Sequence, residues 1–239
     1  VNALRRRCPP PMKTPLYLLL ASIAVQSSFA DDYSRTIFAD DFSTNAFGPR
    51  WGHYKSASVV REGVLVGITP EGSDHAAVDS VRFDPERDLE VSVKFKFASE
   101  KAKQFNVWFD DRDFKGSHAG HIFNVMVGQE RVTIGDAKTG NFRNDLYEKK
   151  KASPPALTEE DKKFLATKNK SLPVKISMGE WHTLVLRTKA EEVFVSIDGK
   201  SIGSFHSEGV GHDHKTLVSL TTYPVDVHYD DFSIKAVGK

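Results

Sequence analysis

Residues 179–205, GEWHTLVLRTKAEEVFVSIDGKSIGSF, constrain the fold more than any other stretch. Val193, Val195 and Ile197 alternate with Glu192, Phe194 and Ser196, and Asp198-Gly199 then ends the run before a second short apolar segment. Side chains repeat every two residues along a strand. Asp-Gly populates the left-handed backbone that a tight hairpin needs, so this pattern predicts two antiparallel strands joined by a two-residue turn.

The same period recurs along the chain. In DLEVSVKFKF, Leu89, Val91, Val93, Phe95 and Phe97 take one face, and Glu90, Ser92, Lys94 and Lys96 the other. ASVVREGVLVGI places Glu62-Gly63 between two apolar runs, a second hairpin signature. RTIFADDFS, HAAVDSVRF, FNVWFDD, GHIFNVMVG, RVTIGDA, TLVSLTT and VHYDDFSIKA are further short strands. About a dozen strands with short turns predict an all-β sandwich or jelly roll. Residues 141–172 break the rhythm with a charged, helix-forming arm. Thr158 and Asp161 have capping-box spacing there. Pro154-Pro155 separate that helix from a weaker one near 145–151, and Phe164-Leu165 supply its one apolar contact. An insertion of this length serves either as decoration or as a lid across a cleft.

Met12-Lys13, the apolar run 16–25 and the small-x-small ending Ser28–Ala30 read as a signal peptide cut before Asp31. Residues 1–11 then lie upstream of the start. The domain organisation expected is 1–30 as extension and signal peptide, and 31–239 as one sandwich, in the periplasm or secreted. The whole chain carries 33 basic and 32 acidic residues and one cysteine, Cys8. Removing Arg5, Arg6, Arg7 and Lys13 leaves 29 basic against 32 acidic, a net charge of −3. A chain without basic excess argues against nucleic acid as a partner. The apolar run is too short to span a bilayer, so no integral membrane segment is expected in the mature chain.

Residues 108–124 hold the densest polar constellation. Asp110, His118 and His121 are catalytic candidates, able to serve as acid, base or metal ligand. Trp108, Arg112, Asn124 and Asp136 are substrate-binding candidates, with Trp108 placed at a strand end as a sugar-stacking platform. The alternative is a solvated Asp-rich loop with a structural histidine. His206, His212, Asp213 and His214 form a second polar group. His212 and His214 would share a strand face, and Asp213 would point away. The acids in ADDFS and YDDFS would meet if the first and last strands pair, and Asp40 with Asp231 would then suit calcium. No other cofactor is implied. Glu86, Asp88 and Glu90 resemble a glycosidase acid triad, yet Glu86 and Glu90 would lie about 13 Å apart on one strand, too far for a retaining pair.

DDFS…W…EGVLVG, DLEVSVKFKF, HAGHIFNV, RVTIGDAKTG, TEEDKKFLATK, GEWHTLVLRTKAEEVFVSIDGKSIG and YDDFSIKA together resemble the DUF1080 family, the 3-keto-disaccharide hydrolase domain, over roughly residues 37–235. The resemblance implies a concanavalin-like jelly roll of two antiparallel sheets, here with an inserted charged helical arm. It also implies an exported protein whose partner is a carbohydrate, acting by hydrolysis or elimination at a 3-keto-glycoside. FNVWFDDRDFKGSHAGH departs from the asparagine-serine-glycine stretch usual there, so the resemblance does not assign catalytic residues. Two other functions fit a sandwich of this kind. One is a non-catalytic glycan-binding module stacking sugars on Trp51, Trp108 and Tyr223. The other is a laminin-G-like adhesion module.

Overall fold

The computed structural model describes residues 32–238, and the expected signal peptide at 1–30 lies outside them. The chain runs β1 (Arg35–Asp40), β2 (Trp51–Tyr54), β3 (Val59–Arg61), β4 (Val64–Ile68), β5 (Ala77–Glu86), β6 (Leu89–Phe97) and β7 (Gln104–Asp110). It continues with β8 (His121–Gly128), β9 (Arg131–Asp136), α1 (Asn144–Lys151), α2 (Glu159–Thr167) and β10 (Asn169–Pro173). It ends with β11 (His182–Lys189), β12 (Glu192–Ile197), β13 (Lys200–His206), β14 (Lys215–Tyr223) and β15 (Val225–Ala236). These form two antiparallel sheets. One is ordered β13-β12-β11-β6-β15-β4-β3, with β1 also on β15, and the other β10-β9-β8-β7-β14-β5-β2. This is the expected all-β jelly roll, with fifteen strands instead of about a dozen.

The two predicted hairpins form as the sequence dictates. Asp198 and Gly199 both have positive φ, as do Glu62 and Gly63, the backbone of a turn whose twist matches that of its strands. On β6 every odd residue from Leu89 to Phe97 is buried. Phe95 meets Phe105 from the opposing sheet at 4.9 Å between ring centroids, and Phe105 meets Tyr229 at 5.4 Å. Each such ring removed from water stabilises the sandwich by about 1.5–3 kcal/mol.

β15 shows how register is kept on a long strand. Val227 and Tyr229 are buried, and then Phe232, Ile234 and Ala236. The buried parity switches from odd to even. Pairing with β6 is irregular between Asp230 and Ser233, and Asp231 has φ 45°. One extra residue restores the apolar set to the core face. The same bend lets β4 pair with the first half of β15 and β1 with the second.

The arm contains two helices where expected. Thr158 and Asp161 form the capping box, and Leu165 is buried. Its end differs from the expectation. Residues 169–173 are β10, paired with β9 from Asn169–Gly135 to Pro173–Arg131. Leu172 drives this: it is buried in the core cluster, and Val174 and Ile176 follow it onto the core at alternate positions, a period of two that begins inside the stretch read as arm.

Candidate active site

The outer face of the β14-centred sheet is a grid whose rows follow from the pairing registers. One row runs Arg82–Leu217–Asp110–His121 across β5, β14, β7 and β8. The next runs Gly52–Ser80–Ser219–Trp108–Asn124. A third holds Tyr54, Val78, Thr221 and Asn106. Phe105, Val107 and Phe109 are the alternate residues of β7 and lie in the core. Residues of the first two rows other than Asn124, with Tyr54, Val78 and Thr221 of the third, line a cleft of about 780 Å³.

His121 reaches this face through a bulge. It has the same parity as Phe123, which is a core residue, so unbroken alternation would bury it. Phe109 pairs with Phe123 but Asp110 pairs with His121, with the register slipping between them. Ile122 and Phe123 are therefore both buried, and His121 turns outward.

The loop before β8 is held tightly. Asp111 N–H donates to the Gly120 carbonyl at 2.9 Å. Gly120 has φ 75°, and a Cβ there would lie 2.0 Å from the Asp111 carbonyl oxygen. The Ser117 hydroxyl donates to the His121 carbonyl at 2.7 Å. His118 N–H donates to the Phe142 carbonyl at 2.7 Å, and Asn144 Nδ2 to the Lys115 carbonyl at 2.7 Å. These bonds fix the start of the arm against the loop and bring Phe142 and Tyr147 to the cleft.

Asp110 and His121 form a pair, His121 Nδ1 to Asp110 Oδ1 at 2.8 Å. Asp110 is 7% exposed. Burial pushes its carboxyl above the usual aspartate range, against the opposing pull of the His121 hydrogen bond and the charges of His121 and Arg112. The pair fixes which ring nitrogen of His121 faces the carboxylate and leaves Nε2 for other work. Aromatic rings frame it. Trp108 lies 4.4 Å from His121 between centroids, Phe142 stands edge-on to both at 5.4 and 4.8 Å, and Tyr147 stacks on His118 at 4.0 Å. Burial, and then the nearby His121, hold His118 below the usual histidine range.

The structure thus gathers Trp108, Asp110, Arg112, His118 and His121 in one cleft. Asn124 sits one row on, its Nδ2 donating to Asn106 Oδ1 at 2.8 Å, outside the lining residues. Asp136 is elsewhere. Its carboxylate accepts from Thr139 N–H, the Thr139 and Ser207 hydroxyls and Gly209 N–H, so it anchors a loop and is not a cleft residue. Trp51 borders the cleft, but its indole packs in the core against Phe38, Phe42 and Phe232, because β2 pairs it with buried Val81. Tyr223 is exposed at the end of β14 and does not line the cleft.

The other candidate groups are dispersed. His212 pairs with Asp111 at 2.8 Å, and His206 with Glu191 at 3.4 Å. The first and last strands do pair, but Asp40 accepts from Trp51 Nε1 and Phe42 N–H, while Asp231 pairs with Lys94 at 2.5 Å. Among the described residues no group of three or more histidine, cysteine or acidic side chains is arranged to hold a metal. Asp40 and Asp231 are each engaged with another partner. Glu86, Asp88 and Glu90 straddle the β5–β6 turn instead of sharing a strand face, and Glu90 pairs with Arg187 and Lys235 on the neighbouring strands of its own sheet, which is not the sheet that carries the cleft.

The sequence reading missed Phe142, Tyr147 and the contribution of β5 and β14. Ser80, Arg82, Leu217 and Ser219 follow from strand parity, but only the strand order sets them beside Asp110.

No family model and no curated protein matches this sequence. Solved structures do match its fold. A laminarinase from Rhodothermus marinus aligns at TM-score 0.59 and 10% identity over 86% of this chain and 98% of that one. SCLam, a non-specific endo-β-1,3(4)-glucanase from family GH16, aligns at TM-score 0.57 and 11% identity over 88% and 99%. The chain has the jelly-roll fold of these carbohydrate-active proteins. The carbohydrate-binding module CBM66 from Bacillus subtilis shares it too, at TM-score 0.52 and 8% identity over 78% and 96%. At these identities the likeness concerns fold.

Proposed function

We propose that this is an exported carbohydrate-active enzyme that cleaves a glycoside by proton abstraction, with His121 as the base. The observation that carries the reading is the Asp110–His121 pair opening on a cleft walled by Trp108, Phe142 and Tyr147. A retaining or inverting glycosidase of the usual kind needs two carboxyls across the scissile bond. Asp110 is the one carboxylate lining this cleft among the described residues, and it is already bonded to the histidine. A buried carboxylate behind an imidazole suits a different task, general-base removal of a proton from carbon.

A 3-keto-glycoside, the substrate class implied by the resemblance to the DUF1080 family, offers such a proton at C2, acidified by the C3 ketone. His121 Nε2 takes the proton. The C–H electron pair forms the C1–C2 double bond, the C1–oxygen bond breaks, and the leaving oxygen is protonated. Water added across the double bond completes a net hydrolysis, and without it the enzyme is a lyase. Trp108 offers the apolar face on which a sugar ring stacks, and Arg112 at the rim offers donors to sugar oxygens.

The test is a screen of glycosides and 3-keto-glycosides with wild type, Asp110→Asn and His121→Ala. Turnover of a keto-glycoside lost in both variants supports the reading. Undiminished turnover in both places the chemistry elsewhere. A second reading is non-catalytic glycan binding, favoured by the aromatic lining and by CBM66 as a fold neighbour. It predicts saturable binding without turnover that survives His121→Ala.

A further inference from the structure

The charge of the cleft differs from that of the protein. Basic and acidic residues balance over the chain, 33 against 32. The cleft is lined by Arg50, Arg82 and Arg112 against the single carboxylate of Asp110. Arg50 is occupied, donating to the Ile37 and Arg82 carbonyls. Arg82 and Arg112 are exposed, and neither is ion-paired with a carboxylate among the described residues; Asp110, whose carboxyl feels the Arg112 charge, is bonded to His121 instead. Arg82 sits in the same sheet row as Asp110, two strands away. Adjacent strands lie about 4.8 Å apart, which puts its Cα about 10 Å from that of Asp110, the span of about two sugar units along the cleft.

A neutral sugar presents hydroxyls that need acceptors as well as donors. The histidines, Ser80, Ser219 and Thr221 of this cleft can serve either way, but its arginines offer donors alone. Its one carboxylate is already engaged.

We propose that the cleft selects a saccharide carrying an anionic substituent, a uronate carboxylate or a sulfate ester, with Arg82 as the principal contact and Arg112 as the second. The guanidinium fork matches two oxygens of either group and cannot lose its charge. The proposal rests on the cleft being the saccharide site and concerns which saccharide enters it.

The test is calorimetric binding of matched oligosaccharides, one neutral, one with a uronate and one sulfated, at low and high ionic strength. Wild type is compared with Arg82→Ala, Arg82→Lys, Arg112→Ala and the Arg82→Ala/Arg112→Ala double variant. The anionic ligands are expected to bind about ten-fold or more tightly than the neutral one, the gain of a charge-assisted contact. Salt should reduce that preference. Arg82→Ala should abolish most of it and Arg82→Lys keep part, and the double variant should bind all three ligands alike. A carboxylate source shows as uronate above sulfate, and a sulfate source as the reverse. Equal or tighter binding of the neutral ligand, or a preference that survives the double variant, overturns the proposal while leaving the saccharide site in place. Failure of all three ligands to bind wild type overturns both.

Discussion

At the residue scale, Asp110 and His121 act as a unit. Asp110→Asn and His121→Ala should each lower turnover about 10²–10⁴-fold, the usual contribution of a positioned general base; His121→Ala should also cost about 1–3 kcal/mol of stability, because it leaves the buried Asp110 carboxyl without its partner. Burial holds the Asp110 carboxyl above the ordinary range, so its protonation contributes to the acid limb of the rate profile. Asp110→Asn should change its shape and not only its height. Lys215 gives a second test at this scale. It is fully buried at the start of β14, and Nζ donates to the Arg87 carbonyl at 2.5 Å and the His212 carbonyl at 2.8 Å. Burial lowers its amine to about 7. The unfolded chain holds that proton up to about pH 10.4, so between pH 7 and about 10 the unfolded state binds more protons and stability rises with pH. Denaturant unfolding at several pH values should show this rise, and Lys215→Met should flatten it. A variant with the wild-type slope would show that Lys215 stays charged in the fold.

At the element scale, the site depends on the loop between β7 and β8 and on its tie to the arm. Gly120→Ala forces a side chain into left-handed backbone and onto the Asp111 carbonyl oxygen. The expected cost is about 1–3 kcal/mol, read as a lower denaturation midpoint. Ligand affinity should fall as well, since the same loop carries Arg112 and His118. Tyr147→Ala touches only the wall. Loss of its stacking on His118 should weaken saccharide binding about 2–10-fold, the worth of one aromatic contact, and leave the melting temperature nearly unchanged. Unaltered affinity would reduce α1 to decoration. β10 sets a limit on any shortening of the arm. It completes one edge of the sheet and seals it with Leu172, so a Gly-Ser replacement must stop before residue 168, whose carbonyl accepts from Asp136 N–H.

For the whole molecule, fifteen strands enclose one apolar layer. The outer face of one sheet is left to form the cleft. No helix among the described residues is long and apolar enough to cross a membrane. Export is proposed on the Met12–Ala30 pattern, and it predicts a mature chain starting at Asp31. Intact mass of the protein recovered from an expressing bacterium checks this. A soluble cytoplasmic form that keeps residues 12–30 would end the export reading.

The alternation on β6 and β12, the Asp-Gly and Glu-Gly hairpins and the capping box at Thr158 were all legible in the sequence. Each depends on neighbours two to four residues apart, within reach of local periodicity and turn chemistry. The cluster from Trp108 to His121 was legible too, because it is contiguous and polar between apolar strands. Tertiary structure decided the rest. Whether His121 faces the core or the cleft turned on one bulge, and a one-residue slip reverses every side chain beyond it. Trp51 went to the core and Asp136 to a loop anchor because of the partners they meet, none of which lies next to them in the chain. Arg82 and Tyr147 joined the site through strand order and loop ties spanning tens of residues. Periodicity states which residues share a face. Only the packing of the two sheets states which face stays open and what gathers on it.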